Sequence, residues 1–81
     1  MEFRVIHKSG HLVARAEITP HDEAGYHVLT TYAPSGKVVS GTFPERDMEA
    51  MKIGARGLCE KWKEDVEKAT GGTGFDIRIV E

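Results

Sequence analysis

Polar and apolar residues alternate in five short runs of this chain and recur every three or four positions in one long run. These two periods separate strands from helix. FRVIH (3–7) and LVARAEIT (12–19) flank a Lys-Ser-Gly turn, and YHVLTTYA (26–33) and KVVSGTF (37–43) flank a Pro-Ser-Gly turn. FDIRIV (75–80) is the fifth run. Val, Ile, Thr, Tyr and Phe fill these segments and Gly, Pro, Ser and Asp punctuate them, as pleated, half-buried strands require. The two Ser-Gly turns, Ser9-Gly10 and Ser35-Gly36, sit 26 residues apart in similar hairpins, which common turn chemistry explains without an internal repeat.

The long run spans roughly 44–70. Met48, Met51, Ala55, Leu58, Trp62, Val66 and Ala69 fall on one stripe at steps of three and four, with Lys63/Glu67 and Glu64/Lys68 as i,i+4 pairs on the other side. Thr42 to Glu45 (TFPE) has the spacing of a capping box, Pro44 suits a first turn, and Gly71-Gly72 supplies a stop. Gly54 and Gly57 lie inside the helix, each costing about 1 kcal/mol relative to alanine. That cost points to a close backbone approach, to the sheet or to a second helix, or to a kink. The order is ββββαβ, an α+β two-layer sandwich in which an antiparallel meander carries one long helix on one face.

Eighty-one residues make one small domain, 1–81, which buries only about 60% of its unfolded surface and gains from a partner. No run is long enough to span a bilayer, no secretion signal opens the chain, and Cys59 has no disulfide partner, so a cytoplasmic protein is expected. Thirteen acids against eleven bases argue against a nucleic-acid binder driven by net charge. The bases are unevenly placed, four of them with four acids in 1–43 and seven with nine acids in 44–81.

Candidate chemistry is thin. HKSGH (7–11) offers two histidines to a metal only if both share a face. Phe3 and Val5 reach the face of Ala14 and Ala16 through a two-residue turn with Lys8 opposite His11, which sends His7 to the core face and His11 to the outer one. A three-residue turn with left-handed Gly10 would bring both histidines to one side, at the expense of pairing Phe3 with Arg15. HDEAGYH (21–27) sets His21, Asp22, Glu23 and His27 together without a metal-ligand spacing, as a polar loop does. Cys59 is mid-helix, away from the helix N-terminus that activates a thiol, and is expected at the flank of the core. GGTG (71–74) follows a helix, whereas a phosphate loop opens one. No nucleophile, base and oxyanion hole assemble, so no enzyme, cofactor or metal is expected.

Arginine bracketed by apolar residues recurs in three strands, as FRV, ARA and IRI. In the chosen register Arg4 faces Arg15 on the outer face, and Arg78 joins them if the last strand pairs with the first. Ile6, Val13 and Val80 are interspersed, giving a candidate binding surface of Arg4, Ile6, Val13, Arg15 and Arg78. Glu2, Glu17 and Asp76 are placed to neutralise the arginines as surface pairs.

Two functions follow. One is a non-catalytic interaction module that binds a protein partner or itself, most simply as a homodimer, with Ile53, Gly54 and Gly57 as a candidate helix contact. The other, less favoured, is a single-stranded nucleic-acid binder using the outer sheet face. Over residues 3–69 the order of four antiparallel strands and a helix is similar to PC4-like and PUR-type single-strand-binding modules. That resemblance implies dimerisation and a curved binding sheet. It rests on element order alone, with Tyr26, Tyr32 and Phe43 as the available stacking rings. A meander followed by an amphipathic helix also resembles HicB-like antitoxins, but their Pro-Gly-Cys turn is missing here.

Overall fold

The structure, a computed structural model, describes residues 1–81. It contains β1 (Glu2–His7), β2 (Leu12–Pro20), β3 (Tyr26–Tyr32), β4 (Val38–Pro44), α1 (Met48–Thr70) and β5 (Phe75–Val80). The strands form one antiparallel sheet in the order β4-β3-β2-β1-β5, so the last strand returns beside the first. The expected α+β sandwich of order ββββαβ is the observed fold. No helix is long and apolar enough to cross a membrane.

The helix packs chiefly over β2, β1 and β5 and leaves β4 to one side. Phe3 and Val5 from β1, Ala14, Ala16 and Ile18 from β2, and Met51, Ala55 and Cys59 from α1 form the core. Every second strand residue enters it, as the pleat dictates, and the helical members repeat at i, i+4 and i+8. The alanines of β2 let the helix approach closely; Ala16, Ala55, Val5 and Cys59 have no exposed surface. Cys59 is thus in the centre of the core and not at its flank. The true centre line of the helix runs Met51-Ala55-Cys59, while Met48, Leu58, Trp62 and Val66 are half-buried beside it and Ala69 is exposed.

Three local expectations are corrected. Thr42 belongs to β4, so the TFPE capping box does not form; a 3₁₀ turn, Glu45–Asp47, leads into a helix that starts at Met48, with no side-chain cap at Asp47. The ladder to β3 holds Thr42 opposite Val28, and sheet pairing overrides the cap. The helix does end at Gly71, in the left-handed conformation with φ 65°.

The first hairpin closes on three residues, not two. The His7 N–H donates to the His11 carbonyl at 2.9 Å, the Gly10 N–H donates to the His7 carbonyl at 2.8 Å, and Gly10 has φ 90°. Phe3 nevertheless pairs with Ala16 and Arg4 with Arg15, because the register shifts by one between Val5 and Ile6 and a bulge absorbs the extra residue. The second hairpin repeats the geometry, with Ala33 and Gly36 both bonding at 2.9 Å and φ 91° at Gly36.

Finally, the helix glycines do not approach the sheet. A Cβ added at Gly54 or Gly57 would meet nothing within 4 Å. They open onto free space, and Ile53 beside them is 72% exposed.

Candidate functional site

On the outer face of the sheet, opposite the helix, the strand registers line up Tyr32, Arg15, Arg4 and Arg78 as one row across β3, β2, β1 and β5. The arginine row expected from the sequence is therefore present, with an aromatic at its end. The Arg15 guanidinium stacks 3.9 Å over the Tyr32 ring, a cation–π contact. The next row is acidic, with Glu17 opposite Glu2. Glu2 binds the Arg4 Nε at 2.6 Å and lies 3.7 Å from Arg15, whose Nη1 also meets Glu17 at 3.0 Å. The hydrogen bond from Arg4 holds the Glu2 carboxyl below the usual range and raises the Arg4 guanidinium in turn.

Two of the three arginines are thus internally neutralised, and Arg78 has no ion pair. Ile6 stands in the following row, opposite Asp76. Val13 departs from the expected surface. The bulge re-aims it, and it is half-buried against the core.

The histidines go to separate tasks. His7 Nδ1 bonds the Ser9 hydroxyl at 2.9 Å and its ring meets Phe75 edge-on at 4.9 Å, while His11 is exposed. The three-residue loop does set His7 opposite His11, but no third ligand joins them, and no group of three His, Cys, Asp or Glu side chains converges anywhere. His21 Nδ1 accepts the Glu23 N–H at 2.9 Å, closing the polar loop on itself. His27 turns the other way, toward the helix side, where its buried Nδ1 has no partner. Its surroundings are Met1, Ile18, Pro20, Met48, Lys52 and Glu81. Cys59 Sγ lies 3.7 Å from the Phe3 carbonyl, and burial pushes its thiol up to about 11, far from a reactive thiolate.

The surface that sequence reasoning missed lies on the helix side of the sheet. Leu29 and Thr31 on β3 share that face with Ile18 and Ala16, and on β4 the same face carries Val39, Gly41 and Phe43. No helix covers β4. Val39 is 51% and Phe43 38% exposed, and the Phe43 ring folds back over Gly41. Leu29, Phe43, Ala50, Met51 and Gly54, with Asp47 at the helix start, line a mostly apolar groove between β4 and the glycine edge of α1. Alternation in KVVSGTF announces a strand, but not which strand the helix would leave bare, because that depends on the crossing angle of α1.

The opposite edge is built differently. β5 exposes Ile79 and Val80 and carries Asp76 and Arg78, neither of them in a salt bridge. Set against known proteins, the chain matches no family model, no curated protein and no solved structure.

Proposed function

We propose that this chain is a small non-catalytic interaction module whose first partner is a second copy of itself. The observation that carries this reading is the surface left uncovered. The chain exposes 5249 Å², roughly 400 Å² more than a compact monomer of 9.0 kDa presents. Among the exposed large apolar residues, Val38, Val39 and Phe43 lie on β4, Ile79 and Val80 on β5 and Ile53 on the helix, with Leu12 and Tyr26 on β2 and β3. Exposed apolar edge strands are what natural monomers blunt, and a partner covers them most directly. A non-catalytic role accords with a buried, protonated Cys59 and with His7 and His21 engaged in local turns.

The test is sedimentation velocity from low micromolar to near-millimolar concentration, in low and in high salt. A weight-average mass that rises toward twice the chain mass, and holds in high salt, is expected from apolar contact. A mass that stays at one chain throughout overturns self-association.

A second reading, single-stranded nucleic-acid binding on the outer face, draws on the Tyr32–Arg15–Arg4–Arg78 row. Its weakness is that Glu2 and Glu17 already occupy Arg4 and Arg15. Adding a short mixed-sequence DNA strand to the same low-salt experiment separates the two. A complex that dissolves steeply with salt favours this second reading.

A further inference from the structure

The interaction reading leaves open which edge of the sheet joins two copies, and the charges on β5 select one answer. We propose that two copies pair antiparallel along β5, with Ile77 opposite Ile77 of the second copy, so that Asp76 of each chain faces Arg78 of the other. This rests on self-association and adds to it an edge, a direction and a register.

The backbone defines the options. Lys8 N–H donates to the Gly74 carbonyl at 2.7 Å, which makes this a hydrogen-bonded pair of the β1–β5 ladder. In an antiparallel ladder such pairs alternate, so Gly74, Asp76, Arg78 and Val80 turn their backbone groups toward β1. Phe75, Ile77 and Ile79 therefore turn theirs outward, along a sheet edge with no strand beyond it. Residues directly opposite in a two-fold ladder number symmetrically about its centre. Every centre on a residue of β5 keeps outward groups opposite outward groups, and three of them, at Asp76, Ile77 and Arg78, set a charged residue opposite a charged residue.

Charge separates the three. A centre at Asp76 sets two carboxylates face to face, and a centre at Arg78 sets two guanidinium groups face to face. Only the centre at Ile77 opposes unlike charges, and it does so twice by symmetry. Those positions form the non-hydrogen-bonded pairs, where side chains come closest. On the helix side the same register places Ile77 against its mate and Phe75 against Ile79 of the second copy, covering residues that are half-buried or exposed in one chain. The helix flanks above them meet as neutralised surfaces: Glu60, Glu64 and Glu67 already have Arg56, Lys68 and Lys63.

The other edge offers no such selection. From Val38 to Pro44 β4 carries no charge, Pro44 has no N–H to donate, and no register is preferred over another.

The experiment is a charge-swap cycle on the full chain, read as the dimer dissociation constant by sedimentation equilibrium. D76R and R78D each put like charges opposite each other in both symmetric pairs, and each is expected to weaken the dimer by about tenfold or more. The double variant D76R/R78D exchanges the partners and is expected to return the constant to near its original value. R78D also sets an acid opposite Arg4 on β1, so its monomer is expected to be no less stable by thermal melting while its dimer weakens. As a backbone probe, Ile79→Pro removes an outward N–H without touching the ladder to β1, and it too is expected to weaken the dimer. A wild-type dimer indifferent to all four variants, or one dissolved by Val39→Lys on β4 instead, overturns the β5 pairing and leaves self-association standing. A wild-type chain that never dimerises overturns both.

Discussion

The two hairpins of this protein share one loop and differ in almost everything that follows from it. Lys8-Ser9-Gly10 and Pro34-Ser35-Gly36 close with the same pair of backbone hydrogen bonds and the same left-handed glycine. Yet β1–β2 contributes five of the eight core residues and β3–β4 contributes none. Local turn chemistry sets how a hairpin closes. What it buries depends on the side chains it turns toward the helix. Phe3, Val5, Ala14, Ala16 and Ile18 combine bulk on one strand with small size on the next, so a helix settles onto them. Val39, Gly41 and Phe43 alternate correctly but lie two and three strands away from that seat.

Truncation is expected to divide the hairpins most sharply. Phe3→Ala removes a nearly buried ring from beneath Cys59 and should cost about 3–5 kcal/mol, lowering the thermal midpoint by more than about 10 °C. Val39→Ala, on the bare face of β4, should change monomer stability by under about 0.5 kcal/mol. Chemical denaturation of both variants at low concentration measures the contrast. Similar losses at the two sites would mean that β4 is covered after all.

Second in size is an alkaline effect confined to the covered half. An unfolded thiol releases its proton around the ordinary value of 9.0, and the buried Cys59 thiol only near 11. Between those values the folded chain holds a proton that the unfolded chain has lost. Stability is therefore full below pH 9 and falls as pH rises toward 11, by about 1.4 kcal/mol per unit. Denaturation midpoints from pH 8 to 11 should show that slope, and Cys59→Ala should flatten it.

The helix glycines lie on the exposed side of α1. No atom blocks a Cβ at Gly54 or Gly57, so Gly54→Ala and Gly57→Ala should each raise monomer stability by up to about 1 kcal/mol. Position 54 borders the bare groove and position 57 lies one turn further along the helix. Because the proposed pairing runs along β5 and Gly54 borders the groove on the β4 side, Gly54→Ala should leave self-association unchanged while strengthening the fold; a dimer weakened by it in sedimentation would place the contact on the helix instead.

Much of this was legible along the chain because it is governed by local period. Strand ends fell within a residue or two, the helix ended where Gly71 said it would, and Arg4, Arg15 and Arg78 came into one row. The register between β1 and β2 follows from the apolar pattern, whereas the turn that closes it does not. The two-residue turn inferred from Phe3 and Val5 gives the same pairing as the observed three-residue turn plus a bulge, and alternation alone does not distinguish them. The helix start at Met48 is not legible in the sequence, because Thr42 can serve a cap or a ladder equally well by composition. The bare face of β4, the burial of Cys59 and the open space at Gly54 all depend on where α1 crosses the sheet, and that is a three-dimensional quantity with no period in the sequence.

The smallest expected effect lies on the outer face, where the two hairpins meet through Arg15 and Tyr32. Glu2 accepts from Arg4 and lies near Arg15, and its carboxyl titrates below the usual range because those guanidinium groups favour the charged form. The unfolded carboxyl takes up a proton at a higher pH than the folded one. This contribution is thus complete above the ordinary carboxylate value and is lost as pH falls through the lowered one. Surface pairs of this kind are worth at most about 1 kcal/mol, so Glu2→Gln should lower the midpoint by only a few degrees at neutral pH. The acid limb of the stability curve should be shallower in the same variant. Losing Glu2 also frees Arg4 and leaves Arg15 with Glu17 alone, which makes the row more cationic. If Glu2→Gln gains salt-sensitive affinity for single-stranded DNA, the glutamates are what keep this face from binding phosphate. If it gains none, the row's role is to tie β1 to β2 and, through the Tyr32 ring, the covered hairpin to the bare one.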